Sequence, residues 1–224
     1  SSVDFTEEEY FKTMQKSWLM EELIQKHTEI MDRYDPEGKV DLVVDEWGGW
    51  YDVLPGTNPG FLFQQNTLRD AMVAGLILNI FNTHAKRVKM ANLAQTVNVL
   101  QAVLLTEGEK MILTPTYHVM RLYKVHQDAR LVPLEFQSPY YTLGDTQIPA
   151  LSASASVDAD GAFHLSLVNL DARRAHTVEI DLSSLGIGSL SGEILHSENL
   201  QDHNRFDAPQ RVVPRSFSDF AFTS

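Results

Sequence analysis

At about Ala129 the hydrophobic period of this chain changes, and few folds accommodate both halves. Before that point apolar residues recur at threes and fours, with short apolar runs between; after it they alternate, as in ALSASASV and AFHLSLVNL. The first pattern suits helices packed on a parallel sheet and the second suits antiparallel strands. The sequence therefore predicts an α/β part over residues 1–128 and an all-β part, a β-sandwich, over 129–224. A chain of 224 residues, 43% hydrophobic and 21% charged, has room for both cores.

Within the first part, Thr6 with Glu9 three residues on forms a capping box for a helix reaching about Tyr34. Phe11, Met14, Trp18, Leu23, His27, Ile30 and Tyr34 form its stripe, and Asp35-Pro36 and Gly38 end it. The acids of TEEEY belong to that helix start, where negative charge is favoured. Val40 to Val44 reads as a short strand apolar on both faces, as in a parallel sheet covered by helices. A Gly/Pro-rich loop follows from Asp52 to Pro59. A second helix is expected from about Asn66 to His84, a second strand near Val88 to Ala91, a helical segment in TVNVLQAVLL, and a last helix near Thr114 to Val125, packing through Val119, Leu122 and Tyr123. The order is that of βα units, but two strands cannot close a barrel. In the second part Phe163, Leu165 and Leu167 share one strand face and His164, Ser166 and Val168 the other. Asp160-Gly161 supplies a turn, and TVEIDL reads as a further strand.

Acidic residues outnumber basic ones by 30 to 18, for a formal charge of -12, and the basic footprint that nucleic acid or an anionic membrane requires is missing. With no cysteine there are no disulfides or thiolate metal sites, which is compatible with a cytoplasmic location. No stretch approaches the roughly 18 apolar residues of a membrane span. The eight histidines, among them His84, His118, His126 and His164, lack metal-ligand spacing and read as core or surface residues. VDADG resembles the start of a calcium loop, but no glutamate stands at its twelfth position, so a hairpin turn is expected.

The chemistry concentrates in VDLVVDEWGGWY, Val40 to Tyr51. Successive strand residues point to opposite faces, so one of Asp45 and Glu46 is expected to look into a pocket while the other is tied to the scaffold. Ligands of parallel α/β sheets bind at the C-terminal strand ends, where Glu46 sits. Gly48 and Gly49 let the backbone turn, and Trp47, Trp50 and Tyr51 offer flat surfaces on which a sugar ring can stack. From the residues alone a plainer alternative stands beside this one: Asp45 caps a turn, Glu46 pairs with a surface lysine, and the aromatic rings are core.

VVDEWGGWY resembles the nucleophile segment of the α-L-arabinofuranosidases of glycoside hydrolase family 51, in which Asp-Glu-Trp followed by Trp-Tyr ends the seventh strand of a (β/α)8 TIM barrel. LRDAMVAGLILNIFNTHAKRVKMANLAQTVNVLQAVLLTEG is similar to the family's next helix, eighth strand and following A-x-L-A-Q segment, in the same order. The resemblance covers about residues 5–130, and more loosely the region beyond. It implies the C-terminal part of that barrel followed by an antiparallel, jelly-roll-like β-sandwich. It makes Glu46 the catalytic nucleophile, Trp50 a ring of the sugar subsite and Gln95 a side chain reaching substrate or nucleophile, with Asn92 a weaker candidate. Asp45 has no counterpart role and reads as structural. The loop between Tyr51 and Asn66 is shorter than in many members, which bears on pocket depth and on the leaving group accepted.

A retaining glycosidase needs a second carboxyl group about 5 to 5.5 Å from the nucleophile, to act as acid and then base. In the family this acid lies in an Asn-Glu pair on the fourth strand, and the chain contains no Asn-Glu dipeptide. The resemblance thus implies a C-terminal fragment, inactive alone, whose partner is the N-terminal part of the same enzyme carrying the acid/base glutamate. It further implies an arabinofuranosyl-containing saccharide as substrate, no cofactor, and a cytoplasmic homo-oligomer, often a hexamer. The rivals are another retaining glycosidase of the same clan, a β-xylosidase or endoglucanase, and a non-catalytic carbohydrate-binding or assembly subunit.

Overall fold

The computed structural model describes residues 1–183 and 185–221, so the last three residues of the SFSDFAFTS stretch lie outside the described residues. Helix α1 spans Glu7–Tyr34. Its N-cap is Thr6, whose hydroxyl accepts from the Glu9 amide at 3.2 Å while the Glu9 carboxylate accepts from the Thr6 amide at 2.7 Å. Tyr10, Phe11, Met14 and Ile24 are buried, but the stripe is open farther along: Leu23, Ile30 and Tyr34 are exposed. At its C-terminal end Arg87 donates to Asp32 (2.6 Å), Asp35 (2.7 Å) and the Val40 carbonyl (2.8 Å), which fixes how the chain enters the first strand.

Strand β1 covers Leu42–Trp47 and β2 covers Val88–Leu93; they pair in parallel, with Leu42 opposite Val88 and Trp47 opposite Leu93. β1 therefore starts two residues later than the apolar run and includes the acid pair. Helix α2, Leu68–Thr83, joins the two strands and is buried around most of its circumference, as its apolar sequence requires.

TVNVLQAVLL is not helical. Asn98 and Leu100 have positive φ (61° and 53°), the Asn98 side chain bonds both the amide and the hydroxyl of Thr106 (2.7 Å each), and Leu104 opens a hairpin. That hairpin is β3, Leu104–Glu107, with β4, Lys110–Leu113. The helical spacing of its apolar residues instead serves a small separate core of Ala102, Leu105 and Ile112 under Phe63 and Phe206. Helix α3, Pro115–Tyr123, follows, N-capped by Thr114.

Beyond α3, β5 (Arg130–Val132), β8 (Leu151–Val157) and β9 (Phe163–Asn169) form one antiparallel sheet in the order β5-β8-β9, while β6 (Tyr140–Leu143) and β7 (Thr146–Pro149) form a hairpin. β10 (Gly192–Ile194) pairs with β11 (Arg215–Phe217). TVEIDL forms no strand: its residues carry no ladder pairing among the described residues. VDADG is a hairpin turn, in which Asp158 accepts from the amides of Asp160 (3.0 Å) and Ala162 (2.9 Å) and pairs with His164 (2.8 Å).

The sheet meets α2 through its polar face. Asn79 donates to Ser152 (3.1 Å) and accepts from Ser154 (2.7 Å) and the Tyr123 hydroxyl (2.9 Å), and His126 bridges Ser156 and Ser166 (2.8 Å each). Every buried hydroxyl in this layer thus has a partner, which removes the cost of burying it. On the opposite face Phe163, Leu165 and Leu167 of β9 are exposed. Gly75 of α2 is required here: a Cβ at that position would stand 2.8 Å from a Val168 methyl, and its carbonyl accepts from Tyr123 at 3.0 Å.

Candidate functional site

The C-terminal ends of β1 and β2 lie side by side, and the Ala94 amide donates to the Trp47 carbonyl at 2.9 Å. Between the register pairs Val44–Ala91 and Trp47–Leu93, Asp45 and Glu46 stand opposite the single residue Asn92. Glu46 and Asn92 are exposed, as is Gln95 just beyond β2. Trp50, 68% exposed, stands on the loop that follows Glu46. The four residues singled out in the sequence thus lie at or just beyond the C-terminal ends of the parallel pair.

Three readings need correction. A register shift falls between Val44 and Trp47, and Asp45 and Glu46 are both exposed there. Neither acid has a hydrogen-bond or ion-pair partner among the described residues, so Asp45 is not tied to the scaffold and Glu46 pairs with no lysine. Trp47 is core, 4% exposed, with its ring edge-on to Phe81 at 5.8 Å. The Tyr51 ring is occupied by the Arg69 guanidinium, 3.7 Å from its centroid. Trp50 alone of the three rings is free to stack on a ligand.

Below this edge lies a layer of buried polar side chains that spacing arguments did not single out: Gln64, Asn66, Arg69, Asp70, Gln101 and Thr116, all 2% exposed or less. A backbone turn passes over them at Gly48, whose φ of +131° only glycine adopts readily. Arg69 lies between the Phe5 and Tyr51 rings and donates to the carbonyls of Ser1 (3.2 Å) and Ser2 (3.1 Å). One Asp70 oxygen accepts from the Thr67 amide (2.7 Å) and hydroxyl (3.1 Å), and the other has no partner.

Burial pushes the Asp70 carboxyl up to about 6, against a partial opposing pull from Arg69. Its folded-state pKa exceeds the unfolded one, so the stability supplied by the neutral acid is complete below about pH 4 and is lost as pH rises through about 6. The cost of ionisation is roughly 2 to 3 kcal/mol. His126 runs the other way: burial, then the neighbouring His164, lowers it to about 4, so its contribution is complete above about pH 6.5 and is lost as pH falls. The two slopes oppose each other over the same window. Asp70→Asn, isosteric with the protonated acid, should therefore gain on the native protein by roughly 2 to 3 kcal/mol between pH 4 and 7. Urea unfolding at both pH values reads this, and parallel stability curves would contradict it.

Among the described residues no group of three or more His, Asp or Glu side chains could hold a metal ion, and no helix is long and apolar enough to cross a membrane.

Residues 45–224 match the family model of the α-L-arabinofuranosidase C-terminal domain. The chain belongs to this family. An intracellular exo-α-L-arabinofuranosidase of Bacteroides ovatus is 44% identical over 98% of the chain and 43% of its own length. An intracellular exo-α-(1→5)-L-arabinofuranosidase of Bifidobacterium longum is 28% identical over 78% of the chain and 36% of its own length. The crystal structure of the family 51 arabinofuranosidase from Xanthomonas axonopodis pv. citri superposes with a TM-score of 0.95 at 52% identity, covering 97% of this chain and 44% of that one. The chain thus spans less than half the length of the relatives it matches. This family member corresponds to the C-terminal portion of family 51 arabinofuranosidases, as the motif resemblance implied.

Proposed function

We propose that this chain is the C-terminal part of a retaining, exo-acting α-L-arabinofuranosidase that removes terminal arabinofuranosyl groups from arabinan, arabinoxylan or their oligosaccharides. Residues 1–128 would supply the last two strands and flanking helices of a (β/α)8 barrel, and 129–224 a β-sandwich. The observation that supports the reading is the placement of Glu46 and Asn92 at the C-terminal end of a parallel strand pair, with the exposed Trp50 ring on the loop that follows.

In this reading Glu46 attacks the anomeric carbon as the bond to the leaving oxygen breaks. A glutamic acid from the N-terminal part of the enzyme protonates that oxygen, and then deprotonates the water that releases the sugar from Glu46. Gln95 and Asn92 hold sugar hydroxyls, and Trp50 stacks on the ring. The activities and locations for which the relatives are named support an arabinofuranosyl substrate and an intracellular location. The reading extends to a homo-oligomer that needs no cofactor and binds neither nucleic acid nor membrane.

The complete enzyme should hydrolyse aryl α-L-arabinofuranoside at least about 100-fold faster than aryl β-xyloside, a margin that hydrogen bonds to sugar hydroxyls readily supply, and should leave carboxymethylcellulose intact. Preference for the xyloside or the cellulose would select another glycosidase of the clan. No turnover of any of the three would select a carbohydrate-binding or assembly role.

A further inference from the structure

Trp50 is exposed, yet the backbone on both sides of it is held by buried amides. The Gly49 amide donates to Gln101 Oε1 at 2.7 Å, the Gly49 carbonyl accepts from Gln64 Nε2 at 2.9 Å, and the Tyr51 amide donates to Gln64 Oε1 at 3.0 Å. Gln64 is 1% exposed and Gln101 fully buried, so these bonds face no competition from water. Gln101 is in turn held by its own donors: Nε2 bonds the Asp70 carbonyl at 2.8 Å and the Thr116 hydroxyl at 3.2 Å, and that hydroxyl donates to Asn66 at 3.2 Å. Its backbone amide donates to the Ala94 carbonyl at 3.0 Å, and the Ala94 amide reaches the Trp47 carbonyl at 2.9 Å. One residue therefore ties down both loops: its side chain fixes the residue before Trp50, and its backbone fixes the residue before Gln95.

Gln64 satisfies the turn with both its donor and its acceptor, and Gln101 satisfies it with its acceptor, which specifies one geometry; an apolar side chain of the same volume would leave the Tyr51 N–H unpaired at position 64 and the Gly49 N–H unpaired at position 101. The Glu46 side chain, by contrast, has no partner among the described residues, so its position is set by the backbone on either side, strand β1 before it and the turn after it. We propose that Gln101, with Gln64, is a positioning residue that sets Glu46 and Trp50 in register with Asn92 and Gln95 by clamping the Gly48–Tyr51 turn. This rests on the reading of Glu46 as nucleophile and Trp50 as subsite ring.

The test compares Gln101→Met and Gln64→Met in the complete enzyme with Asn79→Ala, which breaks a buried polar network between α2 and β8 and serves as the control for stability loss alone. Amide hydrogen exchange reads the clamp directly. Gly49 exchange should rise at least about 10-fold in Gln101→Met, and Tyr51 exchange likewise in Gln64→Met, while both stay unchanged in Asn79→Ala. On the glycoside that the native enzyme turns over fastest, kcat of the folded methionine variants should fall about 10- to 100-fold, as expected for a misplaced reacting group, with KM changed less than about threefold. Asn79→Ala should keep its kcat per folded molecule. Should one methionine variant fail to fold, the other carries the test.

Unchanged exchange at the clamped amides would overturn the proposal, as would raised exchange with kcat intact. If Glu46→Ala retains full activity, the nucleophile reading fails, and the exchange measurements show separately whether the clamp exists.

Discussion

In the complete enzyme, Glu46→Ala is expected to lower kcat by on the order of 10⁴-fold or more, because the residue supplies the electron pair that forms the covalent intermediate. The same substitution should leave stability within about 0.5 kcal/mol of the native value, since Glu46 is exposed and bonds to nothing in the scaffold among the described residues. A large loss of rate with no loss of stability separates a reacting group from a structural one. Truncation to alanine also opens space for a small anion beside the anomeric carbon. Azide should therefore restore part of the rate with an activated aryl substrate. The product should be a glycosyl azide of inverted anomeric configuration, because azide attacks from the side that Glu46 occupied and no second displacement follows. Activity equal to that of the native enzyme would remove Glu46 from the mechanism.

The parts of the site that could be read from sequence are those in which local chemistry and function coincide. The capping box of Thr6 and Glu9 announces α1 within a few residues, and Thr114 stands where the sequence predicts the start of the last helix. Glu46 is conspicuous because an ionisable pair closes an apolar strand. What sequence could not show was decided by contacts distant along the chain. Trp47 and Trp50 are equivalent in composition, but Trp47 ends the strand with its ring against Phe81, whereas Trp50 follows the Gly48 turn and is exposed.

Apolar residues at helical spacing in TVNVLQAVLL also suit a loop that drops Leu105 into a small separate core, and Asn98 settles the matter by bonding Thr106 eight residues away. Gln64 and Gln101 look like surface residues in the sequence. Their burial follows from partners 15 and 52 positions away, and no spacing rule reaches that far. The weak signal that was present is Gly48: a glycine directly after the strand marks a turn that something must hold.

Arg69→Ala should be the most destabilising single substitution around the site, at about 3 to 5 kcal/mol, the range for breaking a buried charged cluster. The guanidinium lies 3.9 Å from the Phe5 centroid and 3.7 Å from that of Tyr51, and its Nη2 serves the Ser1 and Ser2 carbonyls. Truncation removes two desolvated cation–π contacts, each worth about 2 kcal/mol, leaves two carbonyls without a donor, and opens a cavity between two rings. Against this stands relief from burying a cation whose Nε has no partner, which keeps the net loss below the sum of its parts. Arg69→Lys should recover less than half of the loss, because an ammonium cannot lie flat between two rings while donating sideways. Removing the cation also withdraws the one charge that holds the Asp70 pKa down, so the midpoint of the Asp70 stability loss should move upward from about pH 6. Thermal and urea unfolding of the complete enzyme at pH 5 and pH 8 measure both effects. A loss under about 1 kcal/mol, or full recovery with lysine, would mean that Phe5 and Tyr51 close on each other without the guanidinium. In that case the loop bearing Trp50 is held by Gln64 and Gln101 alone.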